Sequence, residues 1–307
     1  MRPIPVTILG GSDRDPSELP ERGLHPLGAY KSVAVEVGGR PLIDHLVERV
    51  NGAFGLGPLT IAGPERIYAP RRLAARILDT DGTLGENLRA TIEHHLATHE
   101  GPLAVLASDV LPTTAELSEL REDFERDRPC ALWLPFLRVP EDPEALGAFG
   151  WKPRYRLIPV GESTPVPILP GHLCILDPRH MRLPLLYRLL ELTYATRNRS
   201  VAHRRAVMLR RLLSSLLSSD LEGLFRLRAP TLTARVAGSG LRLARRLRAG
   251  ALGIAELEHL TGRIFLLDLD PLHPERGIRL PIVDAISLAK DIDTEEEARE
   301  ISRRQAH

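Results

Sequence analysis

Short apolar runs alternate with helical periodicity over the first 180 or so residues, and that alternation limits the fold more than any single motif. Val6-Thr7-Ile8-Leu9, Leu59-Thr60-Ile61-Ala62, Leu103 to Ala107, Ala131 to Leu134 and Gly171 to Leu176 have the length and character of buried strands. Residues 33–37 also read as extended. Between these runs, residues 41–50, residues 87–96 and a stretch opened by Thr113-Thr114 ahead of Glu116 read as helices. Strands and helices in this order predict an α/β fold, a three-layer sandwich around a mixed, mainly parallel sheet. Residues 138–167 are proline-rich and irregular. Helical spacing returns over 183–194 and 201–227, then in a basic stretch over 238–253. Ile264 to Leu267 reads as a late strand, and Asp291-Ile292-Asp293-Thr294 precedes an acidic final helix.

The formal net charge of +1 conceals a strong asymmetry. Arg197 to Arg248 holds 13 arginines against Asp220 and Glu222, about +11, so the remainder sums to about −10. Charge so placed speaks of partners, not of fold. The basic segment has three readings: a solvated outer face over apolar helices, a surface for an anionic acceptor, phospholipid headgroups or nucleic acid, or a contact within a homodimer. Phe225 is its one aromatic residue, which argues against single-stranded nucleic acid. Only three of the 41 basic residues are lysines, Lys31, Lys152 and Lys290, so a lysine at a motif position points to a compact charge.

Two cysteines, Cys130 and Cys174, without ligand spacing argue against a disulfide framework or a zinc site. The N-terminal residues lack a secretory apolar stretch, and no run reaches about 18 apolar residues; the expected location is cytoplasmic.

Three features fall at the carboxyl ends of expected strands, where open α/β sheets bind ligands. They are the Gly10-Gly11-Ser12 turn, Asp109 and Asp291. Glycines let backbone N–H groups approach phosphates, separate carboxylates can converge on a hard divalent cation, and Lys31 can neutralise phosphate charge. Each piece also has a plainer reading, as a simple turn, a helix cap or a solvated residue.

As an ordered set, these residues resemble a family. Val6 to Gly11, then Tyr30-Lys31, Val37 to Ile43 with its Gly38-Gly39-Arg40-Pro41-Leu42-Ile43, Gly82 to Leu88, Ala104 to Pro112 and Asp291 to Glu296 are similar to nucleotidyltransferases related to molybdenum-cofactor guanylyltransferase and to cytidylyl and nucleotide-sugar transferases. The resemblance implies a nucleotide-diphospho-sugar transferase-like (GT-A-type) fold and Mg2+-dependent transfer of a nucleotidyl group from a nucleoside triphosphate to a phosphate or hydroxyl acceptor, with release of pyrophosphate. It implies that Leu9, Gly10, Gly11, Ser12, Arg14, Lys31, Gly82, Thr83 and Asn87 bind nucleotide. Lys31 and Asp109 would be catalytic, Asp109 and Asp291 would hold Mg2+, and Gly171 and His172 would meet the acceptor. The loop departs from the family pattern: Asp13 stands where a glycine is expected, and the loop to Lys31 is longer. The expected division is a nucleotide-binding core over 1–183, a helical basic insertion over 184–260, and a return to the core over 261–307.

Other candidates compete. His94, His95 and His99 share one expected helix and read as a polar face or a metal site. Asp268-Leu269-Asp270 is similar to the D-x-D of sugar-nucleotide glycosyltransferases, the alternative enzyme class. A non-catalytic nucleotide-binding protein is the third reading, motivated by Asp13.

Overall fold

The computed structural model describes residues 2–12, 27–152, 154–195, 210–211, 214, 216–218, 220–221, 231–267 and 277–305. Strand β1 (Ile4–Leu9) leads to α1 (Lys31–Ala34), the small ladder β2 (Glu36–Val37) and β3 (Arg40–Pro41), and α2 (Leu42–Gly52). Next come β4 (Leu56–Ala62), α3 (Glu65–Tyr68), β5 (Arg76–Leu78), α4 (Leu84–Thr98), β6 (Leu103–Ala107) and α5 (Thr114–Arg126). The second half contains β7 (Leu132–Trp133), β8 (Phe136–Arg138), β9 (Tyr155–Leu157), β10 (Val166–Pro170), β11 (Leu173–Leu176) and α6 (Leu183–Ala195). It continues with α7 (Leu232–Arg248), α8 (Ile254–Phe265), β12 (Ile278–Arg279), β13 (Ile282–Val283) and α9 (Glu295–Gln305).

Seven strands form the main sheet in the order β12-β7-β11-β6-β1-β4-β5. β11 runs antiparallel to both its neighbours, and the other pairings are parallel. Strand alternation divides the core into two layers. Ala104 and Leu106 of β6 face the cluster formed with α2 and α5, whereas Leu103 and Val105 face the cluster beneath α4 and α8. The expected three-layer sandwich is therefore present. A second sheet, β13-β8-β10-β9, takes one strand from within the proline-rich stretch that local pattern left irregular, two from its borders, and the fourth from Ile282–Val283.

Two helices of the first half start on capping boxes. Thr83 and Glu86 cap α4, and Thr113 and Glu116 cap α5. The first puts the start of α4 at Leu84, one turn before the expected helix.

Local pattern misled at three places. Residues 31–34 are helical and only Glu36–Val37 is extended. Ile264-Phe265 closes α8 instead of opening a strand: Leu257 and Leu260 pack toward the sheet, while Ile264 on the same helix packs with Leu185, Leu216 and Val236. Asp291 follows the 3-10 turn Ile286–Ala289, not a strand end. Arg14, Asp268-Leu269-Asp270 and most of the helix expected over 201–227 lie outside the described residues. Among the described residues, no helix is long and apolar enough to cross a membrane.

Candidate active site

A cleft of about 270 Å3 opens at the carboxyl ends of β1 and β6, lined by Leu9, Gly11, Ser12, Leu84, Asn87 and Ser108 together with Lys31, Asp109, His172 and Asp293. One wall is neutral and the other is charged.

The neutral wall begins where β1 ends. Gly10 passes so close to Tyr68 that a Cβ there would stand 2.5 Å from the phenol oxygen. Tyr68 instead donates to the Gly10 carbonyl at 2.7 Å, and burial pushes its phenol up to about 12, so it stays a donor. Gly11 is excluded from a side chain in the same way by Asn87, whose Nδ2 would be 2.5 Å from a Cβ. Asn87 is fully buried and braces the turn before α4. Its Oδ1 accepts from Thr80 Oγ1 at 2.5 Å and from the Gly82 N–H at 3.0 Å, while Nδ2 donates to the Gly82 carbonyl at 3.2 Å. A single amide thus braces the turn before α4 and packs against Gly11 of the other.

The charged wall gathers residues far apart in the chain. Asp109 follows β6, and its carbonyl accepts from the Ile292 N–H at 2.8 Å, tying the strand end to the closing segment. That segment is fixed in turn by a capping relation at α9. Glu297 accepts from the N–H groups of Asp293 and Thr294 at 2.7 and 2.9 Å, and its own N–H donates to Thr294 Oγ1 at 3.2 Å. Asp291 and Asp293 are thereby presented beside Asp109, with one carboxylate oxygen from each within 4.8 Å of the others. Lys31 Nζ lies 2.6 Å from Asp293 Oδ1. Lys152 Nζ lies 2.6 Å from Asp291 Oδ1, 3.0 Å from Asp293 Oδ2 and 3.7 Å from Glu297 Oε1. His172 donates through Nδ1 to the Leu288 carbonyl at 2.9 Å, which leaves Nε2 facing Asp291 Oδ2 at 3.7 Å.

Opposing shifts follow from this crowding. Burial, and then the neighbouring Asp291 charge, raise the Asp109 carboxyl above its ordinary value. Burial also acts to raise Asp293, but the Lys152 and Lys31 ammonium groups outweigh it and hold this carboxyl well below the usual range. Lys152 is raised: burial disfavours its charge, and Asp291, Asp293 and Glu297 together prevail. Three carboxylates at this spacing, with oxygen donors alone, suit a hard divalent cation such as Mg2+.

The same architecture is found elsewhere. No family model matches this chain, and no curated protein is significantly similar to it. Among solved structures, it is similar to a hypothetical transferase from Thermus thermophilus, with a TM-score of 0.55 and 22% identity over 97% of this chain and 100% of that one. CMP:2-keto-3-deoxy-manno-octonic acid synthetase complexed with CTP aligns with a TM-score of 0.49 and 12% identity over 99% of this chain and 98% of that one. 2-C-methyl-D-erythritol 4-phosphate cytidylyltransferase, also from Thermus thermophilus, aligns with a TM-score of 0.46 and 12% identity, over 99% and 100% of the two chains. The likeness is one of fold. It rests on the first of these structures, since TM-scores under 0.5 add no weight.

Of the residues singled out from sequence, Leu9, Gly11, Ser12, Lys31, Asn87, Asp109 and His172 line the cleft. Gly10 packs behind it on Tyr68, and Gly82 and Thr83 form the turn that Asn87 braces. Asp291 stands in the charged wall beside Lys152. Gly171 belongs to the link between β10 and β11, where its N–H donates to the Pro135 carbonyl at 2.9 Å and a Cβ would come within 2.7 Å of that oxygen. His95 turns inward, its Nε2 donating to the Gly101 carbonyl at 3.0 Å, so the histidine helix face is not uniformly polar and solvated. Among the described residues, the aspartate trio is the one group with metal-binding spacing.

Sequence reasoning passed over Asp293 and Lys152 as site residues. The rarity of lysine was the available signal, since two of the chain's three lysines belong to the charged wall.

Proposed function

We propose that this chain is a Mg2+-dependent nucleotidyltransferase that moves a nucleoside monophosphate unit from a triphosphate to a phosphate or hydroxyl acceptor. The observation that carries this reading is the convergence of Asp109 and Asp291 beside Lys31, across one cleft from a glycine turn. An acceptor oxygen attacks the α-phosphorus in line, the bond from that phosphorus to the bridging oxygen breaks, and pyrophosphate leaves. Asp109 and Asp291 would hold Mg2+, which when bound neutralises charge on the phosphate oxygens. Lys31 and the N–H groups of the Gly10-Gly11-Ser12 turn would bind and orient the triphosphate. Asn87, its amide committed to Gly82 and Thr80, acts by holding the base-side turn rigid. Catalysis of this kind is chiefly positioning and electrostatics and needs no nucleophilic side chain. The likeness of residues 291–296 to the closing segment of molybdenum-cofactor guanylyltransferase relatives supports the same reading. Residues 184–260 would then serve acceptor or partner recognition, with 1–183 and 261–307 carrying the transfer site.

A thermal-shift panel of ATP, GTP, CTP, UTP and nucleotide sugars, with and without Mg2+, tests it. A ligand at about 100 times its Kd stabilises the native state by roughly 2.7 kcal/mol, a readily measured shift. The expected outcome is a Mg2+-dependent shift with one triphosphate, followed by pyrophosphate release in an acceptor screen. Stabilisation by nucleotide sugars alone would replace nucleotidyl transfer with glycosyl transfer.

A further inference from the structure

Lys152 has no part in the reaction outlined above, yet its ammonium lies amid the acidic cluster of the site. It follows the 3-10 stretch Pro143–Trp151, its side chain is only 7% exposed, and it meets three carboxylates. Lys31 lines the cleft; Lys152 does not. An account of individual oxygens separates the three aspartates. Asp293 has both oxygens engaged, Oδ1 by Lys31 at 2.6 Å and Oδ2 by Lys152 at 3.0 Å. Asp291 gives Oδ1 to Lys152 at 2.6 Å and keeps Oδ2 turned toward His172. Asp109 makes no side-chain hydrogen bond among the described residues. The oxygens open to a metal therefore belong to Asp109 and Asp291, not to Asp293. Among the described residues, Asp109, Asp291, Asp293 and Glu297 carry two more formal charges than Lys31 and Lys152 offset.

We propose that Lys152 is a built-in second cation, filling the place between Asp291 and Asp293 that a second metal would take, so that the site binds one divalent ion through Asp109 and Asp291. Two-metal sites set their ions roughly 3.5–4 Å apart on shared carboxylates. Here Asp291 is the shared carboxylate, with the ammonium on one oxygen and the other oxygen open. A lysine suits this place because its charge is compact, whereas arginine's planar fork needs a broader, bidentate partner. That accounts for a lysine here in a chain with arginine at nearly all its other basic positions. Unlike a metal, the ammonium requires no loading and cannot be chelated.

The inference rests on the metal site proposed above, and one titration separates the two. Mn2+ alone is titrated into the full chain, and free Mn2+ is followed by electron paramagnetic resonance. The wild type is expected to bind one ion. Lys152→Met should bind two, the second entering among Asp291, Asp293 and Glu297. Asp293→Asn should still bind one, with a Kd changed by less than about tenfold, since Asp293 holds lysines and not metal. Two ions in the wild type, a single ion in Lys152→Met, or loss of binding in Asp293→Asn overturns the inference while leaving a metal site in place. Absence of any bound Mn2+ in the wild type removes the metal reading and this inference with it. Should Lys152→Met fail to fold, the wild type and Asp293→Asn decide.

Discussion

The two walls of the cleft solve opposite problems. The neutral wall comes from residues 9–12 and 80–87, locked by backbone turns and one buried amide with its hydrogen bonds made inside the fold. The charged wall comes from positions 31, 109, 152, 172, 291 and 293, and among the described residues it holds more negative charge than its own lysines offset. A wall satisfied from within can position a ligand. A wall with charge left over can bind one selectively, at the cost of tension in the empty protein.

Variants on either side separate the walls, and the largest effect is expected at Asp109. Asp109→Asn should abolish Mg2+-dependent triphosphate binding in calorimetry, a loss of at least about a hundredfold, since one of two open metal ligands is gone. The same variant should melt higher than the wild type without metal, because it removes a buried charge beside Asp291. The sign follows from linkage: a carboxyl raised above its ordinary 3.8 in the folded chain favours folding in acid and loses that contribution as pH rises. The gain in Tm should therefore be present at neutral pH and shrink as pH falls toward the ordinary carboxylate range. A lower Tm at pH 7 would show that Asp109 stabilises the empty fold.

Lys31→Ala comes next. Hydrogen bonds to charged groups contribute about 1.5–3 kcal/mol, so triphosphate affinity should fall roughly tenfold to a hundredfold while nucleoside affinity is unchanged. Equal losses for both ligands would place Lys31 in the framework instead of on phosphate. Asn87→Ala should have the smallest effect on phosphate recognition. It should cost about 1–3 kcal/mol of stability in denaturant unfolding by leaving Gly82 and Thr80 without their partner. Nucleoside and triphosphate binding should weaken together. A loss confined to the triphosphate would erase the contrast between the walls.

Legibility in the sequence follows the same division. The neutral wall is local: a strand ending in Gly10-Gly11 marks one part within a few residues, whereas periodicity passes over the equally local Thr83-x-x-Glu86 cap and starts the helix one turn late. Asp109 and Asp291 are paired by expected strand ends and by the family resemblance; the strand-end argument fails for Asp291, which follows a 3-10 turn, so the resemblance is what relates positions so far apart. Lys152 sits in a stretch where proline and glycine blur every period, and only the rarity of lysine marked it. The short strands β12 and β13 carry too few residues to show alternation, whereas Ile264-Phe265 mimicked a strand by composition while obeying helical contacts. Local propensity loses wherever tertiary packing decides.

The bond from the Ile292 N–H to the Asp109 carbonyl also has a bearing on how the chain is made. Synthesis delivers β1, β4, β5, β6 and β11 well before residue 291, so the sheet has its central strands while Asp109 still lacks its partners. For that interval the nascent protein has a cleft with one working wall. The charged wall is completed only when the late segment docks and brings Asp291 and Asp293 beside Asp109.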